Sequence, residues 1–197
     1  MRRKAIVILS ILYVLLMVAT FIIKNMNGHP PNWKDMLGRT IVSILPLLLL
    51  FCKRIPFPLP LIIVFYIFIF CTFFLGAILK FYDRFHWWDI VLHVFGAGFM
   101  AFVAISLYLI IIPASYEQAI SGWLIFIFVL SFAVLSSTIW EILEFIGSQI
   151  GSMKADSQKD TMTDQIAGFS GACIVAIYAL IRKKARKLRA VTVENNA

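Results

Sequence analysis

The sequence predicts an all-α polytopic membrane protein, a bundle of about six transmembrane helices. Three observations predict it. Of 197 residues, 61% are hydrophobic and 14% charged, whereas a soluble domain is nearer half apolar and a quarter charged. The apolar residues gather into runs that can cross a hydrocarbon core about 30 Å thick at about 1.5 Å per residue. Eighteen phenylalanines supply bulk suited to a lipid-facing surface. The same composition excludes a water-soluble domain, a disordered chain and a nucleic-acid binder of ordinary design.

The first span is expected over residues 5–23, behind Arg2, Arg3 and Lys4. Its flank resembles that of a signal peptide, but the run is long and no small-x-small cleavage site follows, so it reads as an uncleaved helix. The second, residues 37–51, is short and holds Pro46, which predicts a kink or a tilt. Residues 59–79 form a clear third span. The fourth covers 88–112 and stops at Pro113; the fifth covers 122–146 and the sixth 164–181. Residues 1–181 thus read as one membrane domain, followed by a basic tail, 182–197.

Lys and Arg counts orient the bundle. With six spans, the N-terminus, the Lys53–Arg54 turn and the tail (Arg182, Lys183, Lys184, Arg186, Lys187, Arg189) carry eleven of these residues on one side. The other side carries seven. Both termini are therefore expected in the cytoplasm, with the tail as a positive-inside anchor. Cys52, Cys71 and Cys173 show no metal-binding or redox spacing and read as packing residues.

Ionisable groups are costly in lipid, so their placement carries information. In the fourth span, Asp89 and His93 are four apart and share a helix face, with the small residues Gly96 and Ala97 beyond them. In the fifth, Glu141 and Glu144 are three apart, on a stripe with Ser137 and Ser148. Asp160 and Asp164 lead into the sixth, followed by Gly168 and Gly171. By the expected topology all three pairs lie near the outer ends of their helices, within about 10 Å of the end. Asp160 also suits ordinary helix capping, as does Asp156 solvation. Trp87 and Trp88 suit an aromatic belt, while His86 reads as solvated and His29, beside Pro30 and Pro31, as part of a turn.

Five carboxylates around one imidazole cannot all stay ionised without compensation. A divalent cation, shared protons, or Lys80, Arg84 and Lys159 folding over the site would each supply it. The donor set, rich in oxygen with one imidazole, suits Mn, Fe, Mg or Zn. It also resembles carboxylate sites built between facing helices. The expected metal ligands are Asp89, His93, Glu144, Asp160 and Asp164, with Glu141 as a general base toward an attacking water. No phosphate loop, nucleophile elbow or HExxH helix is present, and no internal repeat suggests an inverted-repeat transporter.

WWDIVLHVFGAGF (residues 87–99), WEILEF (140–145) and DTMTDQIAGFSGA (160–172) together resemble the YjdF-type family of bacterial inner-membrane proteins. That family's pattern is an Asp-x-x-x-His helix, a Trp-Glu-x-x-Glu helix and an Asp-Thr-x-x-Asp segment entering a glycine-containing helix. A looser likeness to VanZ-like membrane proteins rests on an Asp and a His at a helix start. The resemblance covers residues 85–172 and implies the fold and the polar site, without a reaction. The function expected from the residues is metal-dependent action, of which hydrolysis is the candidate class, on an envelope lipid or other outer-leaflet substrate, with the bilayer as the first partner. A cation- or proton-coupled transporter and an accessory protein with a structural polar cluster are the alternatives.

Overall fold

The architecture comes from a computed structural model that describes residues 2–28, 31–53, 55–117, 119–151, 153 and 157–194. Its side chains are described up to Lys183, Ala114 excepted. His29, Pro30, Arg54, Lys154 and Asp156 lie outside the described residues, as do the side chains of Lys184, Arg186, Lys187 and Arg189. Among the described residues all regular structure is helical: α1 (Arg2–Met26), α2 (Trp33–Ile44), α3 (Leu59–Ile69), α4 (Phe81–Arg84), α5 (Trp87–Ile111), α6 (Ala114–Glu117), α7 (Gly122–Gln149) and α8 (Gln158–Glu194). Among the described residues, five segments are long and apolar enough to cross a membrane: Arg2–Met26, Leu59–Ile78, Trp87–Ile111, Gly122–Gln149 and Gln158–Lys183.

The expected second span is the exception, and Pro46 explains why. The α-helical partner of the Val42 carbonyl would be the N–H of residue 46, which proline lacks. The Leu45 N–H takes that carbonyl instead, and the chain continues as a 3₁₀ helix over Leu45–Phe51. Twelve α-helical residues followed by seven 3₁₀ residues extend about 32 Å at about 1.5 and 2.0 Å per residue. The segment therefore has the reach of a span without an uninterrupted α-helix.

The chain divides into two compact units, Met1–Arg84 with Leu143–Asp156, and Phe85–Ile142 with Ser157–Ala197. In the first, Arg2 donates to the Ile55 carbonyl at 3.2 Å and Arg3 to that of Cys52 at 2.8 Å. At the far end of α1, Lys24 reaches the Ile78 carbonyl. Helices α1 and α3 hence run parallel, which requires residues 27–58 to travel the length of the unit between them. α3 passes into a π-helix over Phe70–Ile78. The carbonyls of Ile69 and Phe73 accept from Tyr13 at 2.8 Å and Arg39 at 3.0 Å. Asn32 caps α2 by accepting from the Lys34 N–H and donates to the Gly151 carbonyl at 2.8 Å.

The second unit is built on small residues. Ala97, Ala101, Ala104 and Tyr108 of α5 pack with Ile125, Val129 and Ala133 of α7 and with Ala172, Val175, Ala176 and Ala179 of α8. Gly171 marks the closest approach: a Cβ there would land on the Val94 carbonyl group. Phe102 of α5 stands beside Tyr178 of α8, and Gly122 of α7 lies against Leu180 of α8. α5 and α8 are thus parallel, with α7 antiparallel to both.

Candidate metal centre at the head of three helices

Each helix of the second unit places its polar group by continuing its own buried stripe. On α7 the stripe is Ile125, Val129, Ala133, Ser137 and Glu141, spaced by four throughout and each 8% exposed or less. Helices tilt such residues onto one face, so a face apolar for three turns ends in a serine and a carboxylate. On α5 the stripe that holds Ala97, Ala101 and Ala104 begins at His93. On α8 the stripe of Ala167, Ala172 and Ala176 begins at Asp164. Because α7 runs against its neighbours, its last polar residue meets their first.

His93 is the centre of the group. Its Nε2 lies 3.5 Å from Asp89 Oδ1, and its Nδ1 lies 3.4 Å from Glu141 Oε1. One donor atom from each of Asp89, His93 and Asp164 falls within 4.8 Å of the other two. His93 and Glu141 are each 8% exposed and Asp164 is 5% exposed, while Asp89 is half-buried. The centre is therefore closed toward the helix bundle and open at the Asp89 side.

Beneath the centre the described packing is close. A Cβ at Gly168 would collide with Ser137 Oγ, and below that level the core cluster is apolar down to Tyr108. Thr138 Oγ1 pairs with Gln165 Oε1 at 3.3 Å and ties α7 to α8 beside the site. At the opposite end of the unit, the buried Lys183 ammonium donates to the Glu117 carbonyl.

The remaining candidate residues are placed as follows. Asp160 is exposed in the first turn of α8, and Ser157 Oγ accepts its N–H at 3.2 Å, so serine is the cap and Asp160 stands one turn outside Asp164. Glu144 follows Glu141 on α7, is half-buried and belongs to the first unit. His86 and Lys159 are exposed. Trp87 is exposed and meets the Trp88 ring edge-on. Sequence reasoning passed over two features. Gly98 faces Gly171 and Val175 across the α5–α8 contact. In the first unit, Arg39 forms a two-pronged pair with Asp35, both bonds 2.7 Å, which the four-residue spacing could have signalled.

The donors fit a divalent cation. Two carboxylates and an imidazole make a mixed oxygen and nitrogen set suited to first-row transition metals and zinc. Burial makes uncompensated carboxylates there costly. Over residues 5–185 the chain matches the family described as "Predicted membrane protein (DUF2238)". No curated protein and no solved structure matches it. The match spans nearly the whole chain, and the chain belongs to that family.

Proposed function

We propose that this multi-pass member of the DUF2238 family holds a divalent metal ion through Asp89, His93 and Asp164 and uses it on a substrate presented at the outer leaflet. The likeness to YjdF-type inner-membrane proteins rests on these same segments and belongs to this reading, as does a bacterial cytoplasmic membrane with both termini inside. The observation that carries it is the convergence of three ligand-type side chains within 4.8 Å at the head of helices otherwise apolar. When bound, such an ion supplies Lewis-acid polarisation of an oxygen ligand.

The chain's own residues do the rest. Asp89, half-buried, forms the entrance at which a polar headgroup can approach. Glu141, held inside beside His93, is the proton acceptor for an attacking water. The alanine-rich core beneath keeps water from leaking further along the bundle. A lipid or another envelope molecule bearing an ester or phosphate group suits this geometry, because its polar head would sit at the depth of the site.

Elemental analysis of protein purified in mild detergent tests the reading, with Asp89→Ala/Asp164→Ala alongside. The expected result is about one Mn, Fe or Zn per chain in the parent, lost in a variant that still melts cooperatively. A parent that stays metal-free after Mn²⁺, Fe²⁺ and Zn²⁺ are added back would overturn it. Transport is the second reading: carriers line their path with polar groups, whereas the described core cluster beneath the site is apolar. Uptake of radiolabelled Mn²⁺ into proteoliposomes separates the two, since a one-sided site gives none.

A further inference from the structure

Each nitrogen of the His93 imidazole faces a carboxylate oxygen, Nε2 at 3.5 Å and Nδ1 at 3.4 Å, and the two surroundings are unequal. Nε2 faces Asp89, on the half-open side, and a carboxylate oxygen of the buried Asp164 lies within 4.8 Å of a ring nitrogen and of an Asp89 oxygen. Nδ1 faces Glu141, whose side chain is 7% exposed, as is that of His93. A histidine that ligates a metal through one nitrogen commonly donates its other N–H to a carboxylate, which fixes the ring's tautomer and orientation. From this geometry we infer that Glu141 is a positioning residue. It accepts the Nδ1–H of His93 and thereby commits Nε2 to the ion held with Asp89 and Asp164.

Three structural features support this assignment beyond the distance itself. Glu141 ends the Ile125–Val129–Ala133–Ser137 stripe, so its backbone position is set by four turns of core packing and not by a loop. Ser137, one turn below, is wedged against Gly168 of α8, which fixes the rotation of α7 about its axis. Thr138 and Gln165 tie the same two helices at the same level. The carboxylate is thus carried on a rigid element, as a group that orients another must be. The role is additional to proton transfer: one carboxylate oxygen, Oε1, holds the ring.

The inference rests on the metal-binding reading, and the experiment separates the two. Protein labelled with ¹⁵N-histidine is loaded with Zn²⁺ in detergent, and the His93 resonances are assigned by their loss in His93→Gln. We expect Nε2 coordinated and Nδ1 protonated, with a strongly deshielded Nδ1 proton. Glu141→Gln keeps an acceptor oxygen, so it should retain the tautomer and Zn²⁺ affinity while that proton moves upfield. Glu141→Leu, of similar bulk but with no acceptor, should lose about 10–100-fold in Zn²⁺ affinity. Its cooperative melting without metal would confirm that the loss is not misfolding. Coordination through Nδ1 in the parent, or Zn²⁺ affinity unchanged in Glu141→Leu, would overturn the positioning role while leaving the metal site standing. A parent that binds no Zn²⁺ and no Mn²⁺ would overturn both.

Discussion

Gly171 and Gly98 face each other across α5 and α8, yet they are unequal in what they tolerate. A Cβ on Gly171 meets the backbone of Val94, with Cα at 3.0 Å, and backbone cannot rotate aside. A Cβ on Gly98 meets Val175 Cγ2 at 3.7 Å and the Gly171 carbonyl oxygen at 3.8 Å, which is ordinary contact. Gly171→Ala should therefore destabilise the protein by about 1–3 kcal/mol, the usual cost of overpacking. Gly98→Ala should be neutral within about 0.5 kcal/mol. Thermal melting of both variants in one detergent checks this, and equal melting points would show that the helices can part freely. At this scale the sequence exposes part of the site and hides the rest. His93 and Glu141 are legible because ionisable residues several positions inside an apolar run have few reasons to be there. The pairing of Nδ1 with Glu141 is not legible, because it depends on side-chain rotamers and on the helix rotation set by Ser137 against Gly168.

At the scale of the element, hydropathy locates each helix core and misses its ends. α8 begins at Gln158, six residues before the expected span, because Ser157 caps a polar first turn that an apolar window ignores. α5, by contrast, runs Trp87–Ile111, one residue from the expectation, because Pro113 closes the apolar run. The second span shows a different gap. The sequence places Pro46 but does not say that the chain answers with seven residues of 3₁₀ helix. What anchors that irregular segment is the Asp35–Arg39 pair, whose guanidinium also reaches the Phe73 carbonyl of the π-helix and lies over its ring. The charges stabilise α2 only as a pair, since removing one leaves the other short of its partner in a poorly solvated place. Arg39→Met and Asp35→Asn should each destabilise the protein. The double variant should cost less than their sum, by a coupling on the order of 0.5–3 kcal/mol. A double-mutant cycle of unfolding free energies measures this; strict additivity would mean that the pair does not hold the helix.

At the scale of the whole chain, the number of crossings decides where the site opens. Counting only the five long apolar helical segments among the described residues would put Arg2–Lys4 and the basic tail on opposite faces. One of the two cationic ends would then lie against the positive-inside tendency. The hydrogen bonds of the first unit argue for six. Arg2 and Arg3 hold residues 52–55 at the start of α1, and Lys24 holds Ile78 at its end. Residues 27–58 must therefore make the return journey, and α2 with its 3₁₀ extension has the length for it. In the orientation proposed above, six crossings put both cationic ends in the cytoplasm. In that orientation the start of α5, the end of α7 and the start of α8, with the candidate site, belong to the outer face. Cysteine labelling tests the count directly, using a membrane-impermeant maleimide on intact cells after Cys52, Cys71 and Cys173 are replaced. Single cysteines at Gly28 and Met153 should react from outside. Those at Lys53, Tyr116 and Asn196 should react only once the membrane is permeabilised. Equal labelling of positions 28 and 53 from one side would show that residues 33–51 do not cross. A complete inversion of the pattern would keep the six crossings and turn the site toward the cytoplasm, where an envelope substrate could not reach it.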